Sequence, residues 1–261
     1  MNKTISFFFL FILGFSVYYF VDLFYFKSIQ TFVKELSGSK ALAHVVAYCV
    51  TMVPLIIILK IIFPEKKILS LFSINKSVLK GFLTAFIGTL PMLLGYCIYF
   101  KLVQSINFQS LFINSISSPF FEELIFRAFL IGTLYRFTRL GFITSALFGS
   151  LLFAQMHLYQ GTSFTELTEI FLITFLGSVF FSWVYFETDF NLWTAIFLHL
   201  FMNLYWEIFN VSDNVSGNMY GNLFKILSIL LIIALVIYNK RRNKIPLQIT
   251  RKNLFIKTKQ T

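Results

Sequence analysis

The chain has 261 residues, 57% of them hydrophobic and 20% aromatic, and its 13% of charged residues is about half the roughly 25% of a soluble domain, which excludes a water-soluble globule. A net charge of +11 would suit a nucleic-acid binder. The basic residues, however, sit between apolar runs and in one C-terminal tail, as membrane flanks do, so nucleic acid is set aside as a partner in favour of the lipid bilayer.

Eight apolar runs follow one another, at residues 5–26, 41–63, 81–103, 120–135, 142–158, 167–186, 192–209 and 223–238. A spanning helix needs about 20 mostly apolar residues, so the pattern predicts an all-α, polytopic transmembrane helix bundle of about eight helices. The first run is longer than the apolar region of a signal peptide and no small-x-small cleavage site follows it, so it is expected to be a retained helix. The fourth and eighth runs are short enough to be tilted, buried or partly re-entrant. Cys49 and Cys97 lie inside apolar runs and are expected to be buried packing residues rather than a disulfide pair.

An even number of spans places both termini on one side. The basic tail (Lys240, Arg241, Arg242, Lys244, Arg251, Lys252, Lys257, Lys259) points to the cytoplasm for that side, shared with Lys66, Lys67, Lys76, Lys80, Arg136 and Arg139. The expected location is therefore the cell membrane, multi-pass, with both ends inside.

Ionisable residues at membrane depth carry the functional signal, because each costs about 2.5 to 3.5 kcal/mol to insert. Three stretches qualify: Phe121-Glu122-Glu123-Leu124-Ile125-Phe126-Arg127, Phe153-Ala154-Gln155-Met156-His157, and His199-Leu200-Phe201-Met202-Asn203. Ser118 and Pro119 read as an N-cap and a first helical residue, which would put the acidic pair in the opening turns of its helix. Glu123 and Arg127 are four apart, the spacing and orientation of a helical ion pair, and Glu122, about 100° around the helix, is left free for chemistry. An interior ion pair that merely fixes helix packing accounts equally well for Glu123 and Arg127. His199 and Asn203 share a helical face. His44 lacks an acidic or amide neighbour at helical spacing and reads as structural, while the role of Glu207, one turn past Asn203, is open. Because successive helices reverse direction, Glu122, His157 and Asn203 all fall toward one membrane face.

These stretches resemble the motif set of the CAAX prenyl endopeptidase and bacteriocin-processing family of intramembrane proteases. That set is two glutamates with an arginine four after the second, a phenylalanine four before a histidine, and a histidine four before an asparagine. The resemblance runs from about residue 120 to 203. It implies residues 1–110 as transmembrane helices without diagnostic motifs, 111–240 as the catalytic helices and 241–261 as a basic cytoplasmic tail.

It further implies hydrolysis of a peptide bond in a membrane-associated or lipidated peptide or protein. Glu122 would be the general base, His157 would help hold the water, and His199 and Asn203 would stabilise the oxyanion. Glu123 and Arg127 would orient the helix and Phe153 would pack beside the site. No cofactor is required in this reading. The alternative is a zinc ion on Glu122, His157 and His199, although the compact H-E-x-x-H spacing that makes zinc persuasive is absent. Two other functions are compatible with the residues: a non-catalytic bacteriocin immunity or scaffold protein, and a transporter using the carboxylates and histidines as a proton relay. Against the transporter, the halves of the chain show no paired broken helices.

Overall fold

The computed structural model describes residues 3–257, so Lys259 of the basic tail lies outside the described residues. Each apolar run becomes a helical rod. α1 (Lys3–Ser37) and α2 (Lys40–Ile62) form a hairpin that reverses at Gly38, whose φ of 68° suits glycine. The Ser39 hydroxyl caps α2 by accepting the Leu42 N–H. α3 (Val78–Gly88) and α4 (Leu90–Tyr99) are the two arms of the third run, bent by 41° where Pro91 interrupts the hydrogen-bond ladder.

The fourth run is the core of α5 (108–137), and here the expected helix start is wrong. Asn107 caps the rod by accepting the Ser110 N–H, and the helix runs on through Ser118 and Pro119 without a break. Ser118 has helical backbone angles (φ −58°, ψ −52°) and caps nothing. A π-helical stretch, Ile113–Ser117, precedes the proline, and its wider turn absorbs the register change that Pro119 would otherwise impose. Glu122 and Glu123 therefore lie about four turns into α5 rather than in the opening turns, and the helix dipole gives them little.

A second π-helical stretch, Glu123–Gly132, follows directly, and all ten of its residues are buried. Its wide turn brings Gly132 against the carbonyl of Arg127: a Cβ at Gly132 would stand 2.6 Å from that oxygen. Gly132→Ala is expected to cost about 1 to 3 kcal/mol of stability through this clash, read as a lower Tm in detergent.

α6 (Phe142–Gln155), α7 (Phe164–Glu187), α8 (Leu192–Ile208) and α9 (Met219–Arg242) complete the bundle. By length and apolarity α1, α2, α6 with its extension to Gln160, α7 and α9 can cross a membrane, and the bent α3–α4 pair is a sixth candidate. The two remaining rods, α5 and the 17-residue α8, carry most of the polar motif.

α5 is the axis of the bundle. α1 and α2 cover it on one side, where Phe11 of α1 stacks on Phe129 at 5.0 Å and Leu55 and Leu59 of α2 join the same core. α6 and α7 pack together and against its π-helical stretch, and α8 also crosses α5. The outer face of α8 meets α3, while α4 and α9 pack together in a second core around Tyr96, Phe201 and Ile232. Close approach of α9 relies on small residues, since a Cβ at Gly88 would overlap Ile232.

Cys49 and Cys97 are free, as expected, but exposed on the outside of the bundle rather than buried. In a membrane bundle an apolar run is apolar on its lipid face too, so apolar neighbours do not imply burial.

The basic tail folds back. Lys240 is 4% exposed and pairs with Glu187 at 3.2 Å and Asp189 at 3.5 Å. The N–H groups of Gln248 and Ile249 donate to the Glu187 carboxylate at 2.9 and 2.8 Å. The tail, the 187–190 loop, the end of α5 and the 66–73 connection thus share one end of the bundle. Glu122 lies 15 residues back along α5, about 22 Å away.

Candidate active site

α5 supplies two adjacent carboxylates with different surroundings. The Glu123 side chain is fully enclosed, whereas that of Glu122 retains 18% exposure, so Glu122 is the one an incoming molecule can reach. Glu122 Oε2 nevertheless accepts no hydrogen bond among the described residues. An unpaired carboxylate oxygen facing inward is suited to take a proton.

Glu123 is held between two cations or potential cations. Arg127 Nε stands 3.2 Å from Glu123 Oε2, the ion pair expected from the four-residue spacing, and His199 Nδ1 of α8 stands 2.8 Å from Glu123 Oε1. The carboxylate accepts, so His199 Nδ1 carries its proton, and the other ring nitrogen, Nε2, faces Glu122 Oε2 at 4.0 Å. The Arg127 guanidinium is fully buried, with the Phe153 ring centre 4.2 Å from Cζ and that of Phe181 at 5.4 Å.

His157 lies two residues past the end of α6, in the turn that follows it, with Nδ1 2.7 Å from the Phe153 carbonyl oxygen. A carbonyl only accepts, so Nδ1 carries the proton and Nε2 is left as an acceptor. Glu122 and Arg127 both lie within electrostatic reach of this ring. Phe153 lies against it at 4.4 Å and against His199 at 6.3 Å, one aromatic surface serving both histidines and the arginine.

The fold therefore brings together Glu122, Glu123, Arg127, Phe153, His157 and His199. Asn203 lies one turn beyond His199, where its Nδ2 donates to the Asn114 carbonyl oxygen in the first π-helical stretch at 3.0 Å. One of its two N–H bonds is thus committed to fixing α8 on α5. Glu207, the extra acid of α8, hydrogen-bonds the Asn114 side chain and so belongs to the same junction. His44 is structural, its Nδ1 2.9 Å from the Ser117 hydroxyl.

Several groups around the site went unread in the sequence. Phe181 of α7 packs on both Arg127 and His199, the latter at 5.5 Å. Tyr18 of α1 and Tyr48 of α2 lie within electrostatic reach of Glu122. Asp22, one turn from Tyr18, accepts the Thr51 hydroxyl at 3.0 Å and lines a cavity of about 110 Å³ with Phe126, Leu152 and Met156. Its signal was available, because Asp22 is the one charged residue in the first apolar run.

Among the described residues no group of three His, Cys, Asp or Glu side chains converges as a cation's ligand set. In each histidine Nδ1 is the nitrogen hydrogen-bonded to a protein oxygen, which leaves Nε2 of His157 and of His199 uncommitted.

Residues 104–205 match the family model described as Type II CAAX prenyl endopeptidase Rce1-like. No curated protein and no solved structure matches the chain. The matched segment begins just ahead of α5, ends within α8 past Asn203, and contains every residue of the three motifs. With its polar centre inside that segment, the chain is similar to the CAAX prenyl endopeptidases over residues 104–205, and its long apolar helices make it a multi-pass membrane protein set in the lipid bilayer.

Proposed function

We propose that this chain hydrolyses a peptide bond of a membrane-associated or lipidated substrate with water activated by Glu122, without a metal ion. The observation that carries the reading is the pairing of an unbonded, partly exposed Glu122 with a His199 whose free nitrogen faces it because Glu123 holds the other one.

In the proposed cycle His199 acts as an imidazolium whose Nε2–H lies beside the Glu122 carboxylate. Glu122 takes a proton from water as the water oxygen bonds to the scissile carbonyl carbon, while the water's other O–H, which stays on that oxygen, donates a hydrogen bond to His157 Nε2. The carbonyl π electrons move to oxygen, and that oxyanion accepts from His199 Nε2–H and from the second Asn203 N–H. On collapse the C–N bond breaks and the leaving nitrogen takes the proton from Glu122, which restores the carboxylate.

With the basic tail in the cytoplasm, the site lies in the outer half of the bilayer. The mechanism is tested by cleavage of a membrane-peptide library by detergent-purified protein with and without a strong zinc chelator. Cleavage is expected to persist in chelator, whereas its loss and restoration by added zinc would replace the glutamate mechanism with a metal one. Absence of any cleavage, with peptide still bound, would favour an immunity or scaffold role.

A further inference from the structure

The geometry points to a second site at the opposite end of α5, a cationic cavity that holds the phosphate of an anionic phospholipid headgroup. The cavity measures about 690 Å³, within the size range of small-molecule pockets, and lies between the end of α5 and the folded-back tail. Arg136 and Arg139 line it from the α5 side and Lys252 and Lys257 from the tail, over a floor that includes Tyr135 and Phe137, and among the described residues no acidic one lines it.

The tail is fixed there by main-chain bonds rather than by ion pairs with these cations. Gly141 N–H donates to the Phe255 carbonyl at 2.7 Å, Ile143 N–H to that of Leu254 at 2.8 Å and Lys257 N–H to that of Arg139 at 2.8 Å. These bonds gather four positive charges around one space. Among the described residues none of the four is in a salt bridge, so the charge there is uncompensated by the protein. Arg136 is committed through its guanidinium to the 70–73 segment, donating to Ser70 O, Leu71 O and Ser73 Oγ. Arg139 and Lys252 are exposed and make no side-chain hydrogen bond among the described residues, so they are free to close on an anion.

A phosphate is the group that this donor set fits, several N–H bonds around a compact anion. A free phosphate and a headgroup share that chemistry. The position selects the headgroup, because the cavity shares its end of the bundle with Lys66, Arg241 and Arg242, where the basic flanks of α2 and α9 meet the membrane surface. The aromatic floor suits the interfacial layer.

The test uses the full chain in non-ionic detergent, as wild type and as the Arg139→Gln/Lys252→Gln double variant. Retained lipid is counted by native mass spectrometry, and Tm is followed with phosphatidylglycerol, with phosphatidylcholine and with inorganic phosphate. Wild type is expected to retain phosphatidylglycerol in preference to phosphatidylcholine and to gain Tm from it. The double variant, with an unchanged Tm in detergent alone, is expected to bind phosphatidylglycerol about thirty-fold more weakly. Equal retention of both lipids, or no difference between wild type and variant, would overturn the site. Stabilisation by inorganic phosphate with no lipid retained would overturn the headgroup and leave a free phosphate in its place. Proteolysis is not read in any arm, so this result is independent of the catalytic assignment.

Discussion

Replacing Glu122 by glutamine is expected to lower kcat by about 10²- to 10⁴-fold, the contribution of a positioned general base, while leaving the protein folded. Glutamine keeps the shape and fills the same space between α5 and α8 but cannot take the water's proton. Stability should change little, because Glu122 Oε2 makes no protein hydrogen bond to lose and the side chain keeps 18% exposure. Tm in detergent checks the fold and single-turnover cleavage checks the chemistry. A variant that loses both together would mean that Glu122 is a structural carboxylate.

Arg127→Ala is expected to act the other way, on stability first. Removing the guanidinium leaves Glu123 fully enclosed without its ion-pair partner at 3.2 Å, and breaking a buried pair costs about 3 to 5 kcal/mol. That is a large fraction of the roughly 5 to 15 kcal/mol available to a domain. It also empties the space between the Phe153 and Phe181 rings that the guanidinium occupies. The expected result is a strong fall in Tm and in yield of folded protein. Combining it with Glu123→Gln should recover part of that loss, since the stranded charge is gone, yet leave the enzyme inactive because His199 loses the carboxylate on Nδ1. No recovery in the double variant would mean that lost ring packing, not the stranded charge, dominates.

The motif residues were legible because a membrane removes alternatives. A carboxylate or guanidinium in an apolar run has to turn inward, so Glu122, Glu123 and Arg127 had to meet polar partners on other helices, and the only motif histidines stood ready on α6 and α8. The ion pair was legible from four-residue spacing alone. Which carboxylate orients His199 was not, because that contact joins residues 76 apart and depends on how α8 crosses α5. The start of α5 was misread for a local reason: Ser118-Pro119 is a good initiation signal in an ordinary α-helix, but a preceding π turn lets the rod continue through it. The exposure of Cys49 and Cys97 was hidden because hydrophobicity separates inside from outside in water, not in lipid. Asp22, Tyr18 and Tyr48 carry no motif signal, because the first helices hold none of the three motifs, yet those helices bring Tyr18 and Tyr48 within electrostatic reach of Glu122. The folded-back tail had no sequence signal beyond its charge, since its anchors are backbone N–H groups donated to Glu187.

The central claim is tested most directly by identifying cleavage products from a membrane-peptide library. Wild type, Glu122→Gln and His157→Ala would be compared at matched amounts of folded protein, each with and without zinc chelator. The account predicts product peptides from wild type and none from either variant. Equal product from Glu122→Gln, or product from wild type that vanishes whenever chelator is present, would contradict it.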